Sequence, residues 1–164
     1  MKRILLILIL FFYFTPSFSQ TKVESILFNK INDYRKEKNI PIVEWGDVVY
    51  KVAIDQTDYM SKTDNCTHDQ QPETDHFSNF DMELFRKKFI RKGIDTDYHT
   101  VGENCFIGYG IDTASFKQIS ERVFNGWLDS PPHHGMLLDG DYKYCAVSIY
   151  LKNDNVYSSF NCRD

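Results

Sequence analysis

Apolar residues recur every three or four positions in four separate segments of the chain, which is the spacing of one face of a helix. The first segment predicts a helix over residues 23–38, and Asp47 can cap a second helix. Asp81 begins a third, which Gly93 ends. The fourth helix ends at the two prolines of the stretch SPPHHG, because proline cannot continue a helix. The apolar positions that define these faces are Val23, Ile26, Leu27, Ile31, Tyr34, Val48, Val49, Val52, Ala53, Tyr59, Met60, Met82, Phe85, Phe89, Phe116, Ile119, Val123 and Trp127.

Two later stretches have the character of strands. The sequence VGENCFIGYG, residues 101–110, indicates a strand that enters a glycine-rich turn. The sequence KYCAVSIYLKNDNVYSSFNC, residues 143–162, indicates two strands joined by the two-residue turn Asn153-Asp154. Helices come first and an antiparallel hairpin comes last, so the order predicts the α+β class, with helices packed on a small antiparallel sheet.

The hairpin also predicts a disulfide. In the register that the turn sets, Cys145 faces Cys162, and a bridge there would stabilise the fold by about 3 kcal/mol in the chain-entropy model. The remaining cysteines, Cys66 and Cys105, are then assigned to each other by elimination. No pair has the C-x-x-C spacing of a zinc or redox site, which makes metal thiolates the weaker alternative.

The first residues have the pattern of a signal peptide. A basic start, MKR, precedes the apolar run ILLILILFFYF and small residues that suit cleavage before Gln20. The run is too short for a comfortable membrane span. We therefore expect a signal peptide at residues 1–19, one domain over 20–164, and a secreted or periplasmic protein without a transmembrane segment after cleavage.

Composition and net charge exclude some classes of binding partner. The chain of 164 residues has a net charge of -4, so it lacks the cationic surface that nucleic acids or anionic membranes require. Aromatic residues make up 15% of it, which indicates a well-filled core or an aromatic-lined groove. The expected protein is a monomer whose partner is an unidentified small ligand or an extracellular protein.

Three polar residues form the candidate site. His68 lies two residues after Cys66, Glu103 lies in the strand-like GEN segment, and His133 follows the two prolines. Two imidazoles and one carboxylate from separate segments are the ligand set of an open zinc site. The same trio without metal is a hydrogen-bonded acid/base cluster. The plainer alternatives are a solvated loop histidine, a turn glutamate and a histidine that caps a helix end.

Several motifs, in order along the chain, resemble one family. NDYR matches an N-x-x-R pattern in a first helix, GENC matches a G-E-N signature, and GWLDSPPHHGMLL is similar to W-x-x-S-P-G-H-R-x-N-[IM]-L. Together with DNCTH and the terminal hairpin, they resemble the CAP family of cysteine-rich secretory, antigen 5 and pathogenesis-related proteins. The resemblance spans nearly the whole chain after the apolar start.

The resemblance implies an α-β-α sandwich with a central cleft that carries two histidines and two glutamates, in some members with a divalent metal, often zinc. By position, the first histidine is His68, with His76 as the alternative, the glutamate is Glu103 and the second histidine is His133. The second glutamate is absent, because Ser130 occupies its place in W-x-x-E.

Three functions follow as hypotheses. The preferred one is a secreted binding module whose cleft holds a metal or a small ligand. The alternative is a metal-dependent extracellular hydrolase, in which His68 and His133 bind the metal and Glu103 serves as general base. The third is a disulfide-stabilised scaffold without a working cleft. In the first two, the prolines stop the fourth helix so that His133 turns into the cleft, while His134 faces out.

Overall fold

The computed structural model describes residues 20–68, 70, 82–91 and 99–164. The predicted signal peptide, the alternative histidine His76 and the predicted helix end at Gly93 lie outside these residues. The described elements are α1 (Lys22–Glu37), β1 (Glu44–Trp45), α2 (Asp47–Thr63), α3 (Met82–Arg91), β2 (Val101–Tyr109), α4 (Phe116–Leu128), α5 (Pro131–Leu137), β3 (Tyr144–Lys152) and β4 (Asn155–Arg163).

The strands form one sheet in the order β1-β3-β4-β2. β1 runs parallel to β3, whereas the other pairs are antiparallel, so the sheet is mixed rather than wholly antiparallel as expected. β1 was not predicted, because two residues are too few to show an alternating pattern. β2, which carries the GEN segment, occupies an edge of the sheet.

Helices cover both faces of the sheet, which confirms the predicted α-β-α sandwich. On one face, α1 and α4 enclose the larger core, where Trp127 packs on Phe160 with ring centroids 5.8 Å apart. On the other face, α2 and α3 pack on the sheet through a smaller cluster that includes Val52 and Phe89. Among the described residues, none of the helices is long and apolar enough to cross a membrane.

The C-terminal hairpin has the predicted register. Lys152 pairs with Asn155, Cys145 pairs with Cys162, and the two cysteines form a disulfide. Cys66 and Cys105 are both free thiols, so the disulfide that elimination assigned to them is not formed in this structure. Assigning the last two cysteines to each other uses only the number of cysteines and takes no account of how the two side chains are oriented.

The helix starts differ slightly from prediction. Thr21 caps α1 in a capping box, in which its hydroxyl accepts from the backbone of Glu24 and the Glu24 carboxylate accepts from the backbone of Thr21. For α2, Gly46 occupies the cap position and Asp47 is the first helical residue, so Asp47 favours the helix through its charge near the N-terminus.

The two prolines begin a helix rather than end one, which corrects the prediction. α4 already ends at Leu128, and Pro131 and Pro132 are the first two residues of α5. Proline suits this position because the first helical N–H groups have no partner within the helix. His133 and His134 therefore lie on the first turns of a short helix.

Two residues of the NDYR motif fix segments that lie next to α1. The Arg35 side chain is fully buried, and it donates to the backbone oxygens of Leu137 at 2.9 Å and Asp139 at 2.9 Å, at the end of α5. Asn32 exchanges two hydrogen bonds of 2.9 Å with the backbone of Val43. The first helix thereby fixes both the segment before β1 and the helix that carries His133.

Candidate functional site

His68 and Glu103 meet, as predicted. His68 follows the end of α2, and its Nδ1 lies 3.1 Å from Oε1 of Glu103 on β2. The Glu103 side chain is fully buried, whereas that of His68 is 21% exposed. The pair thus joins a segment after α2 to the edge strand.

Lys88 of α3 completes this pair, and the sequence analysis missed it. Its Nζ lies 2.9 Å from Oε1 and 3.1 Å from Oε2 of Glu103. Burial raises the pKa of Glu103, but the ammonium of Lys88 and the hydrogen bond from His68 outweigh burial, so the pKa lies below its ordinary value. Glu103 is therefore an ionised carboxylate inside the protein.

Cys105 belongs to the same cluster. Its Sγ lies 3.7 Å from Nδ1 of His68, and one ligand atom each from His68, Glu103 and Cys105 lie within 4.8 Å of one another. The alternation of side chains along β2 could have predicted that Cys105 lies beside Glu103, because residues two apart on a strand face the same side. Burial, followed by the charge of Glu103, raises the pKa of Cys105 well above its ordinary value, so the thiol is protonated and is not an activated nucleophile.

His133 approaches the cluster through His68. The two ring centroids are 6.2 Å apart, and the backbone oxygen of His133 accepts a hydrogen bond of 2.9 Å from Asn104. Burial, and secondly the neighbouring His68, lower the pKa of His133. The imidazole is therefore neutral at neutral pH, which is the form that binds metals.

His134 does not belong to the cluster. Its Nε2 lies 2.7 Å from the hydroxyl of Tyr34 on α1, and its ring packs beside that tyrosine. The prediction that it turns away from the cleft agrees with this contact, but it is half-buried against α1 rather than directed to solvent.

An open cavity of about 620 Å³ lies beside β2 and reaches the cluster at His133 and Cys105. Its wall contains Phe106, Ile107 and Tyr109, and Cys66 lies on it as well. The cavity thus combines a polar end with an apolar wall, which is the composition of a small-molecule site.

The comparison with known families agrees with the resemblance. Residues 28–162 match the cysteine-rich secretory protein family, CAP. Because the match spans most of the chain, this protein belongs to the CAP family. A search of the curated proteins finds no match.

Solved structures share the fold. An outer surface protein from Borrelia burgdorferi is similar with a TM-score of 0.65 and 21% identity, over 89% of this chain and 96% of that one. An extracellular protein with an SCP domain from Bacillus anthracis has a TM-score of 0.63 and 20% identity, over 86% of this chain but only 40% of its own. A structure of NaASP2 with Zn²⁺ has a TM-score of 0.55 and 9% identity, over 90% of this chain and 82% of that one.

Proposed function

We propose that this protein is an exported CAP-domain binding protein whose cleft holds one divalent metal ion, with zinc as the expected metal. The observation that carries the proposal is the approach of the His68 and His133 rings, 6.2 Å apart, beside the buried carboxylate of Glu103. Export is supported by the signal-like N-terminus and by the extracellular and outer-surface descriptions of the Bacillus and Borrelia structures.

The spacing of the two imidazoles suits a shared ion. With Zn–N bonds of about 2.0–2.1 Å, two imidazoles on one zinc have ring centroids roughly 5 Å apart. The observed separation of 6.2 Å is about 1 Å longer, so the two rings would move closer together to share an ion. A zinc ion held by two protein ligands would keep open positions for water or for an exogenous ligand, which it would polarise.

For Glu103 we propose a supporting role instead of the ligand role that the sequence predicts. The contacts of its two oxygens with Lys88 and His68 favour this role, because a carboxylate that accepts from a metal-binding imidazole orients the ring. The buried carboxylate is also poorly placed as a general base for a water molecule. This supports the binding module over the hydrolase.

Calorimetric zinc titration of the metal-free protein tests the proposal. We expect one-to-one binding that weakens by at least about 100-fold in His68→Ala and in His133→Ala, because each removes a ligand. His134→Ala is the matched control, since this neighbouring histidine contacts Tyr34, and its affinity should stay within about threefold.

Cys105→Ser distinguishes the two sets of ligand atoms. If the imidazole pair holds the ion, this variant keeps the wild-type affinity within a few-fold. Loss of binding in Cys105→Ser together with normal binding in His133→Ala would replace the imidazole pair by the trio of His68, Glu103 and Cys105. Absence of stoichiometric binding by the wild-type protein would refute the metal site.

A further inference from the structure

The cavity beside β2 is large enough to hold an organic molecule. Its volume of about 620 Å³ lies within the range of pockets that bind small molecules, and a single metal ion would fill only a small part of it. Besides Cys105 and His133, the lining includes Asp64 and Asn65, which follow α2. The chemistry of this lining indicates which class of molecule the cavity takes.

One wall of the cavity is apolar and follows the edge strand β2. Cys105, Phe106 and Ile107 all line it, and because successive side chains of a strand point to opposite faces, the cavity extends around the edge of the strand. Tyr109, two residues further along, also lines the cavity and is 55% exposed. An aliphatic or aromatic body can pack on this wall.

The lining of the cavity carries negative charge. Asp64 is its acidic residue, and the described residues that line the cavity include no lysine or arginine. Two lysines near the end of α2 contact other acceptors: Lys62 donates to Asp58 at 2.6 Å, and Lys152 donates to the backbone oxygen of Ser61 at 2.6 Å. A positively charged ligand therefore complements the cavity.

The Asp64 carboxylate is held at the end of α2. Asp64 is the C-cap residue, with a φ of 53°, and its Oδ1 accepts a hydrogen bond of 2.7 Å from the hydroxyl of Tyr157 on β4. That hydroxyl in turn accepts a hydrogen bond of 3.3 Å from the side-chain amide of Asn155. In the part of the chain that the structure describes, no donor contacts Oδ2 of Asp64, and the C-terminus of the helix adds partial negative charge beside it. The carboxylate thus has a fixed orientation and one open acceptor.

We propose that this cavity binds a small organic cation, a protonated primary amine on an apolar body. The ammonium group donates to Oδ2 of Asp64, the ring of Tyr109 attracts the same charge, and the apolar body packs on Phe106 and Ile107. The inference rests on the proposed binding function, because it names the ligand class of the same cleft. It requires no metal ion, so it can be tested in the metal-free protein.

An NMR titration of the ¹⁵N-labelled, metal-free protein compares three probes that differ in charge. Phenethylamine is the cation, phenethyl alcohol is its neutral counterpart, and hydrocinnamate is the anion. The amine should shift the backbone amide signals of Ile107 and Tyr109, with a dissociation constant at least about tenfold lower than that of the alcohol, because a charge-assisted hydrogen bond is lost in the alcohol. Hydrocinnamate should leave these signals unchanged.

Asp64→Asn removes the charge and keeps an acceptor for the hydroxyl of Tyr157. It should bind phenethylamine at least about tenfold more weakly than the wild type and should bind the alcohol as before. Asp58→Asn is the matched control, because it makes the same change in net charge on α2, at a side chain that is 50% exposed and lies outside the cavity lining. Its affinity for the amine should stay within about twofold of the wild type.

Tyr109→Ala tests the aromatic part of the wall. It should weaken amine binding by about three- to tenfold, because both the cation–π contact and apolar surface are lost. Tyr150→Ala is the matched control, since Tyr150 is 46% exposed on β3 and does not line the cavity. Equal affinities in the two variants would overturn the placement of the ligand on this wall.

Three results overturn the inference: no binding of phenethylamine by the wild type at millimolar concentration, equal affinity for the amine and the alcohol, or unchanged amine affinity in Asp64→Asn. The metal site and the cation site fail separately. If zinc binds and the amine does not, the metal site stands and this inference is refuted. If the amine binds through Asp64 and zinc does not bind, the metal site is refuted and the cation site stands.

Discussion

Glu24 is one of the buried polar side chains that join separate elements of this protein. Its carboxylate accepts hydrogen bonds from the backbone of Thr21 at 2.7 Å, from the hydroxyl of Tyr50 at 2.8 Å and from the backbone of Ile149 at 2.9 Å. One side chain on α1 therefore satisfies donors on α2 and β3. Like Glu103, it shows that the interior of this fold depends on fully paired carboxylates.

Removal of the Glu24 carboxylate should destabilise the folded protein. Glu24→Ala leaves the N–H of Ile149 and the hydroxyl of Tyr50 without their acceptor, so we expect the free energy of unfolding to fall by about 3 kcal/mol. Urea denaturation measures the change. Glu37→Ala, at an exposed position of the same helix, should change it by less than about 0.5 kcal/mol. Equal losses in the two variants would contradict this account.

The contact between α4 and β2 depends on glycine. A Cβ at Gly126 would overlap the ring of Phe106, and a Cβ at Gly108 would lie 2.9 Å from the opposite side of that ring. The aromatic side chain, which lines the cavity, thus fits between glycines of two elements. In contrast, a Cβ at Gly135 of α5 would meet no heavy atom within 4 Å.

The same substitution at these two helical glycines should have opposite signs. Gly126→Ala should lower the free energy of unfolding by about 1–3 kcal/mol, because the displaced ring outweighs the better helix propensity of alanine. Gly135→Ala should raise it by about 0.5–1 kcal/mol, since only the propensity changes. Thermal or urea unfolding of both variants measures these changes. A stabilised Gly126→Ala protein would show that Phe106 does not pack as described.

The stability of the whole molecule should depend on alkaline pH through buried tyrosines. Burial, and then the charge of Asp139, raise the pKa of Tyr142 to about 12, and burial together with Glu24 raises the pKa of Tyr50. A neutral tyrosine is thus favoured in the folded state. Its contribution is complete below the unfolded-state pKa of about 10 and is lost as pH rises through the folded-state value.

Urea unfolding between pH 9 and 12 tests this dependence. We expect the free energy of unfolding to fall by on the order of 2 kcal/mol per buried tyrosine across this range. The free energy of unfolding of Tyr142→Phe should fall less steeply with pH than that of the wild type. Tyr150→Phe, at a position that is 46% exposed, should follow the wild-type curve. Identical slopes in all three proteins would argue against the burial of Tyr142.

Local sequence patterns were sufficient to predict much of the fold. Helical periodicity located α1, α2, α3 and α4 to within a few residues, although it missed α5, and the two-residue turn determined the pairing of Cys145 with Cys162. These features depend on residues that are near one another in sequence, so the helical period and the strand register follow directly from residue spacing. The family motifs likewise placed His68 beside Glu103, because their order along the chain carries information about the fold.

What the chain alone determined is therefore the α+β class, the hairpin with its disulfide, and the approach of His68 to Glu103. Only the tertiary structure decided that Lys88 holds Glu103, that Cys105 is a free thiol beside His68, and that the prolines begin the helix of His133. Such contacts arise where elements distant in sequence pack together. Their geometry depends on how the helices lie on the sheet, and no local periodicity encodes it.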